Sequence, residues 1–180
     1  ELANLERYFW ARAMQVSPDG RRVALLHDGI ALAALPGLDQ LLYGSARSVG
    51  RCAAFLPSAH GEETWKGRGS VPDNQTLLVG QYSGDVFKYY PRNERWITYE
   101  DPSFTRHEGR VEGVSFLRSR SVVVTAGSEG TIRFIDLDDR STIGEVEEPL
   151  GQVTSLHVSP DECFMAVGNS RASFSLWDLR

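Results

Sequence analysis

The sequence predicts an all-β protein assembled from about four repeats of a small four-stranded antiparallel sheet. Three observations predict this. The phrase Val-Ser-Pro-Asp occurs twice, at Val16 to Asp19 and at Val158 to Asp161, each time between two apolar runs. Short runs rich in Val, Ile, Phe and Tyr alternate with clusters of Gly, Ser, Pro and Asp, which reads as many short strands joined by tight turns. Helical periodicity is poor throughout. The one candidate helix, Leu2 to Arg7, is too short to hold together alone.

The elements follow in order along the chain. In the first repeat a strand ends at Val16, and Val23-Ala24-Leu25-Leu26 forms the next. Between them Ser17-Pro18-Asp19-Gly20 favours a turn, because Pro presets φ and Gly accepts positive φ. The second repeat reads as Cys52 to Phe55, Leu77 to Gly80, and Gly84 to Tyr90. The third supplies four strands: Val111 to Phe116, Val122 to Ala126, Thr131 to Leu137 and Thr142 to Val146. The fourth has a strand ending at Val158, then Phe164 to Val167, then Ser173 to Leu179. The first strands end at Val16, Phe55, Phe116 and Val158, spaced by roughly 40, 60 and 40 residues. A period of about 40–45 residues marks a four-stranded blade. The long step is accounted for by an insertion between Leu56 and Val71.

Those residues carry a family resemblance. Ser173-Phe174-Ser175-Leu176-Trp177-Asp178-Leu179 resembles the closing strand of a WD repeat, and Gly130 to Leu137 resembles the same element with Ile135 in place of Trp. His107-Glu108-Gly109-Arg110-Val111 resembles the segment that opens a repeat. The resemblance spans nearly the whole chain, 1–180, as four divergent repeats at about 8–46, 47–100, 105–147 and 150–180. It implies a β-propeller whose blades each have strands a to d running outward from a central channel. The fourth repeat reaches Arg180 directly after strand c, so its strand d is expected to be missing. Four blades do not close the ring of about seven that the family builds, so an incomplete ring is expected. Further blades or a partner chain would be needed to close it.

The family's structural hydrogen-bond tetrad joins an opening His, a strand-b Ser or Thr, a turn Asp and the strand-c Trp. In the third repeat the matching residues are His107, Thr125, Glu129 and Ile135; Ile cannot donate, so that tetrad is expected to be broken. In the fourth, Val167 and Arg171 stand in the Ser/Thr and Asp positions beside Trp177. In the first, Asp28 keeps the acid and Ala34 replaces Trp; in the second, Ser83 and Tyr89 stand in.

Function classes narrow from composition. The chain is 41% hydrophobic and 24% charged, with net charge −5. A domain that grips nucleic acid by its backbone carries a basic excess, which is absent here. No apolar run approaches the roughly 20 residues of a membrane helix, so no membrane role is expected. Cys52 and Cys163 have neither metal nor redox spacing, which predicts no disulfide scaffold and a reducing compartment. His27, His60, His107 and His157 fall in no metal-binding spacing. No Gly-x-Ser-x-Gly or phosphate-cradling loop occurs. Neither catalysis, metal nor cofactor is therefore expected.

The candidate sites lie in loops. On the face formed by the b–c and d–a loops, which we call the top, the candidates are Tyr82, His107, Arg110, Glu129 and Arg171. Tyr and Arg are favoured interface residues because they combine area with directed hydrogen bonds; the competing reading is a solvated loop face with His107 purely structural. On the opposite face the insertion Pro57 to Ser70 carries Trp65, Lys66 and Arg68. Trp65 either packs on its own blade or anchors a partner. The a–b connections also carry Arg21, Arg22, Arg118 and Arg120, balanced by Asp19, Glu62, Glu63, Asp73, Asp161 and Glu162, which reads as a mixed solvated face. Trp177-Asp178-Leu179-Arg180 is similar to the short ending of propellers that serve as ubiquitin-ligase substrate receptors, although Arg171 stands where an upstream acid is expected.

The reading is a non-enzymatic protein-interaction scaffold within a larger intracellular complex, in cytoplasm or nucleus, whose partners are other proteins. Two alternatives are carried. One is a component of an RNA-processing or ribosome-assembly particle, touching RNA through the Arg-bearing loops. The other is a substrate receptor of a cullin-RING ubiquitin ligase.

Overall fold

The computed structural model describes residues 11–36, 41–45, 48–56, 76–92, 95–98, 103–149 and 151–180. All regular structure among them is β. The first blade holds β1 (Ala13–Val16), β2 (Arg22–Leu26), β3 (Gly29–Ala34) and β4 (Leu41–Ser45), paired antiparallel in chain order. The second holds β5 (Gly50–Leu56), β6 (Thr76–Gln81), β7 (Asp85–Arg92) and β8 (Arg95–Thr98). A short β9 (Thr105–Arg106) pairs with the start of β7, so the outer edge of this blade is built in two pieces. The third blade is β10 (Val111–Leu117), β11 (Val122–Gly127), β12 (Thr131–Asp136) and β13 (Thr142–Glu147). The fourth is β14 (Val153–Val158), β15 (Phe164–Asn169) and β16 (Phe174–Asp178), a three-stranded sheet among the described residues. One parallel residue pair, Tyr43 with Arg95, links the first two blades at their outer strands.

Burial follows from the pleat. Alternate residues of each strand face opposite blades, so each sheet carries two apolar faces. Ala24, Leu26, Ile30 and Leu32 of the first blade meet Phe55, Leu77, Val79, Phe87 and Tyr89 of the second. Ala54, Leu56, Leu78 and Val86 of the second meet Val111, Val114, Val123 and Ile135 of the third. Leu117, Val124, Ala126 and Ile132 of the third meet Leu156, Met165 and Val167 of the fourth, with Trp177 and Leu179 packed alongside. Each fully buried side chain of this size stabilises the stack by about 1.5–3 kcal/mol. The far face of the fourth blade has no such cover: Phe174 is 72% and Leu176 64% exposed.

The innermost strands approach closely, and small residues permit it. A Cβ on Gly113 of β10 would collide with Leu156 of β14. A Cβ on Gly80 would lie 2.5 Å from Val111 and 2.6 Å from the Cys52 sulfur. Cys52 itself is half-buried; desolvation around its sulfur pushes the thiol up to about 12, and its S–H donates to the Val111 carbonyl at 3.7 Å. β1, β5, β10 and β14 together wall a cavity of about 550 Å³.

The two Ser-Pro-Asp turns are near copies. Ser17 Oγ donates to Asp19 at 2.5 Å and accepts the Arg22 amide at 2.9 Å; Ser159 Oγ donates to Asp161 at 2.5 Å and accepts the Phe164 amide at 3.0 Å. Where the first copy has Gly20 at φ 68°, the second has Glu162 at φ 57°. A non-glycine residue is strained there. The Glu162 carboxylate accepts the Arg118 and Ser119 amides at 2.7 and 3.0 Å and the Ser119 hydroxyl at 2.5 Å, tying the bottom turn of the fourth blade to that of the third.

Candidate partner-binding face

The top face is built where each strand b ends and strand a begins. Three consecutive blades share one irregularity there. The ladders skip Arg51 between Gly50 and Cys52, Glu112 between Val111 and Gly113, and Thr154 between Val153 and Ser155. Each skip is a β-bulge at the second residue of the innermost strand. A bulge puts two residues opposite one and re-aims a side chain. Arg51 and Glu112, both on the wall of the central cavity, meet across the blade boundary: Arg51 Nη2 and Nε lie 2.6 and 2.9 Å from Glu112 Oε2. Arg110 Nε lies 3.2 Å from Glu112 Oε1, and its guanidinium sits over the Tyr82 ring at 5.5 Å. The Glu112 side chain is only 5% exposed, whereas that of Arg110 is 43% exposed. The backbone of Arg110 is fixed by Ser128, whose hydroxyl accepts the Arg110 amide at 3.0 Å and whose amide donates to the Arg110 carbonyl at 2.7 Å.

His107 and Glu129 form a second group. His107 is 1% exposed. Its Nδ1 contacts Glu129 Oε1 at 2.6 Å and its Nε2 contacts Thr125 Oγ1 at 2.9 Å. The other Glu129 oxygen accepts the Gly109 amide at 2.9 Å. Burial pulls the imidazole pKa below its ordinary value, against the opposing pull of the Glu129 carboxylate. A neutral ring with Nδ1–H donating to Glu129 and Nε2 accepting from the Thr125 hydroxyl satisfies all three groups. Three of the four tetrad positions are therefore bonded, and Ile135, which cannot donate, leaves the fourth link unmade. The geometry makes His107 a structural strut, withdrawn from the surface. Gly127 makes room for it, since a Cβ there would occupy the space of the Glu129 carboxylate. Gly84, at φ 90°, does the same beneath the His107 and Gly109 carbonyls.

The other blades solve the same problem differently. Gln81, at the end of β6 where the third blade has Gly127, donates to the buried Tyr89 hydroxyl at 2.8 Å. Asn169, the equivalent residue of β15, accepts the Arg171 amide at 3.1 Å and the Ser173 hydroxyl at 2.9 Å. Arg171 itself is exposed in that turn. The Trp177 indole N–H is buried with no hydrogen-bond partner among the described residues, consistent with Val167 standing where a hydroxyl would be needed. In the first blade the ladder sets Ala33, not Ala34, opposite Val23, as Ile135 is opposite Val123. Its b–c turn is two residues shorter, so a count from the turn acid overshoots by one.

Of the sequence candidates, the structure brings Tyr82 to Arg110 and His107 to Glu129, and places Arg171 separately on the fourth blade. Arg51, Glu112, Gln81 and Asn169 were not among them. Trp65, Lys66 and Arg68 lie outside the described residues. On the opposite face Arg180 grips Asp178, Nη2 to Oδ2 at 2.7 Å, and stacks over Phe164 at 5.2 Å. Among the described residues no group of His, Cys, Asp or Glu could hold a metal ion, and no helix is long and apolar enough to cross a membrane.

Residues 101–136 match the WD domain, G-beta repeat, family. The match runs from the outer edge of the second blade, β9, through β12 of the third, so one repeat unit ties two blades together. No curated protein matches the chain. WD repeats are generally protein-interaction scaffolds without enzymatic activity. The chain is an all-β protein that carries a WD repeat at residues 101–136 within an incomplete β-propeller of about four blades.

Proposed function

We propose that the chain is a non-enzymatic scaffold that holds protein partners in a larger intracellular assembly, with its top face as the main docking surface. The observation that carries the reading is the immobilised top face. Tyr82 and Arg110 are half exposed, yet Arg110 is fixed by a ring, a carboxylate and two backbone hydrogen bonds. Side chains ordered before binding lose less entropy when a partner arrives. Arg171 extends the same face to the fourth blade.

A second contact lies at the fourth blade. Phe174 and Leu176 repeat the apolar face with which Ile132 and Phe134 of the third blade meet the fourth, and β16 has no outer neighbour in its sheet. A further blade, supplied by this protein or a partner, fits that face and edge.

The test is affinity purification of the protein from its own cells, with and without nuclease, followed by mass spectrometry. A stable protein set that survives nuclease supports the scaffold. A set that disperses on nuclease treatment moves the function to an RNA-containing particle, and the absence of any stable partner refutes the reading.

A further inference from the structure

We propose that the mouth of the central channel recognises a carboxylate side chain of an acidic peptide segment, held by Arg110 on its Tyr82 platform with Arg51 alongside. This deepens the scaffold reading and rests on it. Without the bulges Arg51 and Glu112 would keep the strict alternation of their strands; with them, the two residues meet at the channel wall on adjacent blades. One carboxylate then serves two guanidinium groups, leaving one positive charge over within this group of three.

The arrangement of donors is specific. Glu112 engages Arg110 through Nε, and the two Nη groups of Arg110 have no hydrogen-bond partner among the described residues. Arg51 spends Nε and Nη2 on Glu112, leaving Nη1. A guanidinium with its outer edge free is a planar fork matched to a carboxylate, which a lysine cannot reproduce. The Tyr82 ring keeps that fork flat, and Ser128 fixes the backbone beneath it. Three acids lie on the neighbouring turns, Asp85, Glu108 and Glu129. Glu129 already accepts N–H groups from His107 and Gly109, and Glu108 is exposed to solvent. Asp85, three residues past Tyr82, accepts the Ser83 hydroxyl at 3.0 Å and lies 3.9 Å from Arg106 Nε, so the side of the second blade carries an acid as well.

The test uses a fluorescein-labelled peptide of alternating Glu and Gly and its Gln-for-Glu analogue, titrated against the purified full chain by anisotropy at low and at physiological salt. The expected result is a preference of roughly tenfold for the Glu peptide, weakened by salt. Arg110→Ala should abolish the preference. Arg110→Lys should lose most of it while keeping the charge. Each variant should still unfold in a single cooperative urea transition with unchanged slope, which separates loss of the site from loss of the fold. Equal binding of the two peptides, or an Arg110→Lys variant as selective as wild type, overturns the proposal. If the cellular partner set persists while the peptide preference is absent, the scaffold stands and this site falls. If wild-type protein captures no stable partner, the scaffold reading itself has failed.

Discussion

Replacing Gly127 by Ala should destabilise the chain by a route that runs entirely through another residue. The added Cβ would occupy the position of the Glu129 carboxylate, which is the free end of a flexible side chain. Glu129 can swing away, so the cost is not a clash but the bonds it gives up. These are the contact with His107 at 2.6 Å and the Gly109 amide at 2.9 Å. Hydrogen bonds to a charged acceptor contribute about 1.5–3 kcal/mol each. The displaced carboxylate, already 18% exposed, regains part of that from water. The His107 Nδ1–H, buried, does not. The expected loss is about 2–4 kcal/mol, read as a lower urea midpoint at unchanged slope. The decisive comparison is a double-mutant cycle. In a Glu129→Ala background, Gly127→Ala should cost less than about 0.5 kcal/mol, because the colliding group is gone and Ala is the better strand residue. Additive losses in the double variant would refute the reasoning.

Four further outcomes are expected. Gly113→Ala, whose new Cβ meets the Leu156 Cβ and backbone, should cost about 1–3 kcal/mol by urea denaturation and should not be rescued by any change at Glu129. Val167→Thr should raise stability by up to about 1 kcal/mol by offering the Trp177 N–H an acceptor, and a loss would show that the hydroxyl does not reach it. His107 has a folded pKa below its ordinary value, so the unfolded chain binds its proton first. That contribution to stability is complete above about pH 6.5 and declines as pH falls from there; an NMR titration placing the His107 pKa above 6.5 would contradict it. At Glu162 burial alone would raise the carboxyl, but the Ser119 hydroxyl and the Ser119 and Arg118 amides hold it below its ordinary value. Its contribution is present above the ordinary carboxylate range and lost as pH falls through the depressed value, and Glu162→Gly should remove that part of the acid dependence.

The strand pattern was legible because it rests on alternation and turn chemistry. The third repeat's four strands lie within a residue or so of the spans read from the sequence, since Val, Ile and Phe alternate there and Gly130 ends the turn. The fourth blade's three strands were legible for the same reason. What escaped was whatever depends on a single-residue shift. Arg51 and Glu112 look like exposed strand residues until the bulge turns them toward each other, and no local signal in Gly-Arg-Cys or Val-Glu-Gly announces a bulge. Gln81 and Asn169 were hidden because they act from the end of the preceding strand, Gln81 donating to the Tyr89 hydroxyl and Asn169 accepting from Arg171 and Ser173. The third-repeat network was judged by Ile135 alone, although Glu129 is long enough to serve both His107 and Gly109. Ala33 was missed by one place because the first b–c turn is shorter. Glu162 reads as an ordinary surface acid, and only its positive φ and its contact with the third blade show otherwise.

If the top face is the docking surface of a rigid scaffold, hydrogen exchange on the chain with and without its purified partner should register it there. New protection is expected at the top turns, residues 82–84, 107–110 and 128–130, with the turns at 18–21 and 118–121 unchanged. Protection confined to those opposite turns, or to none of the blade ends, would contradict it.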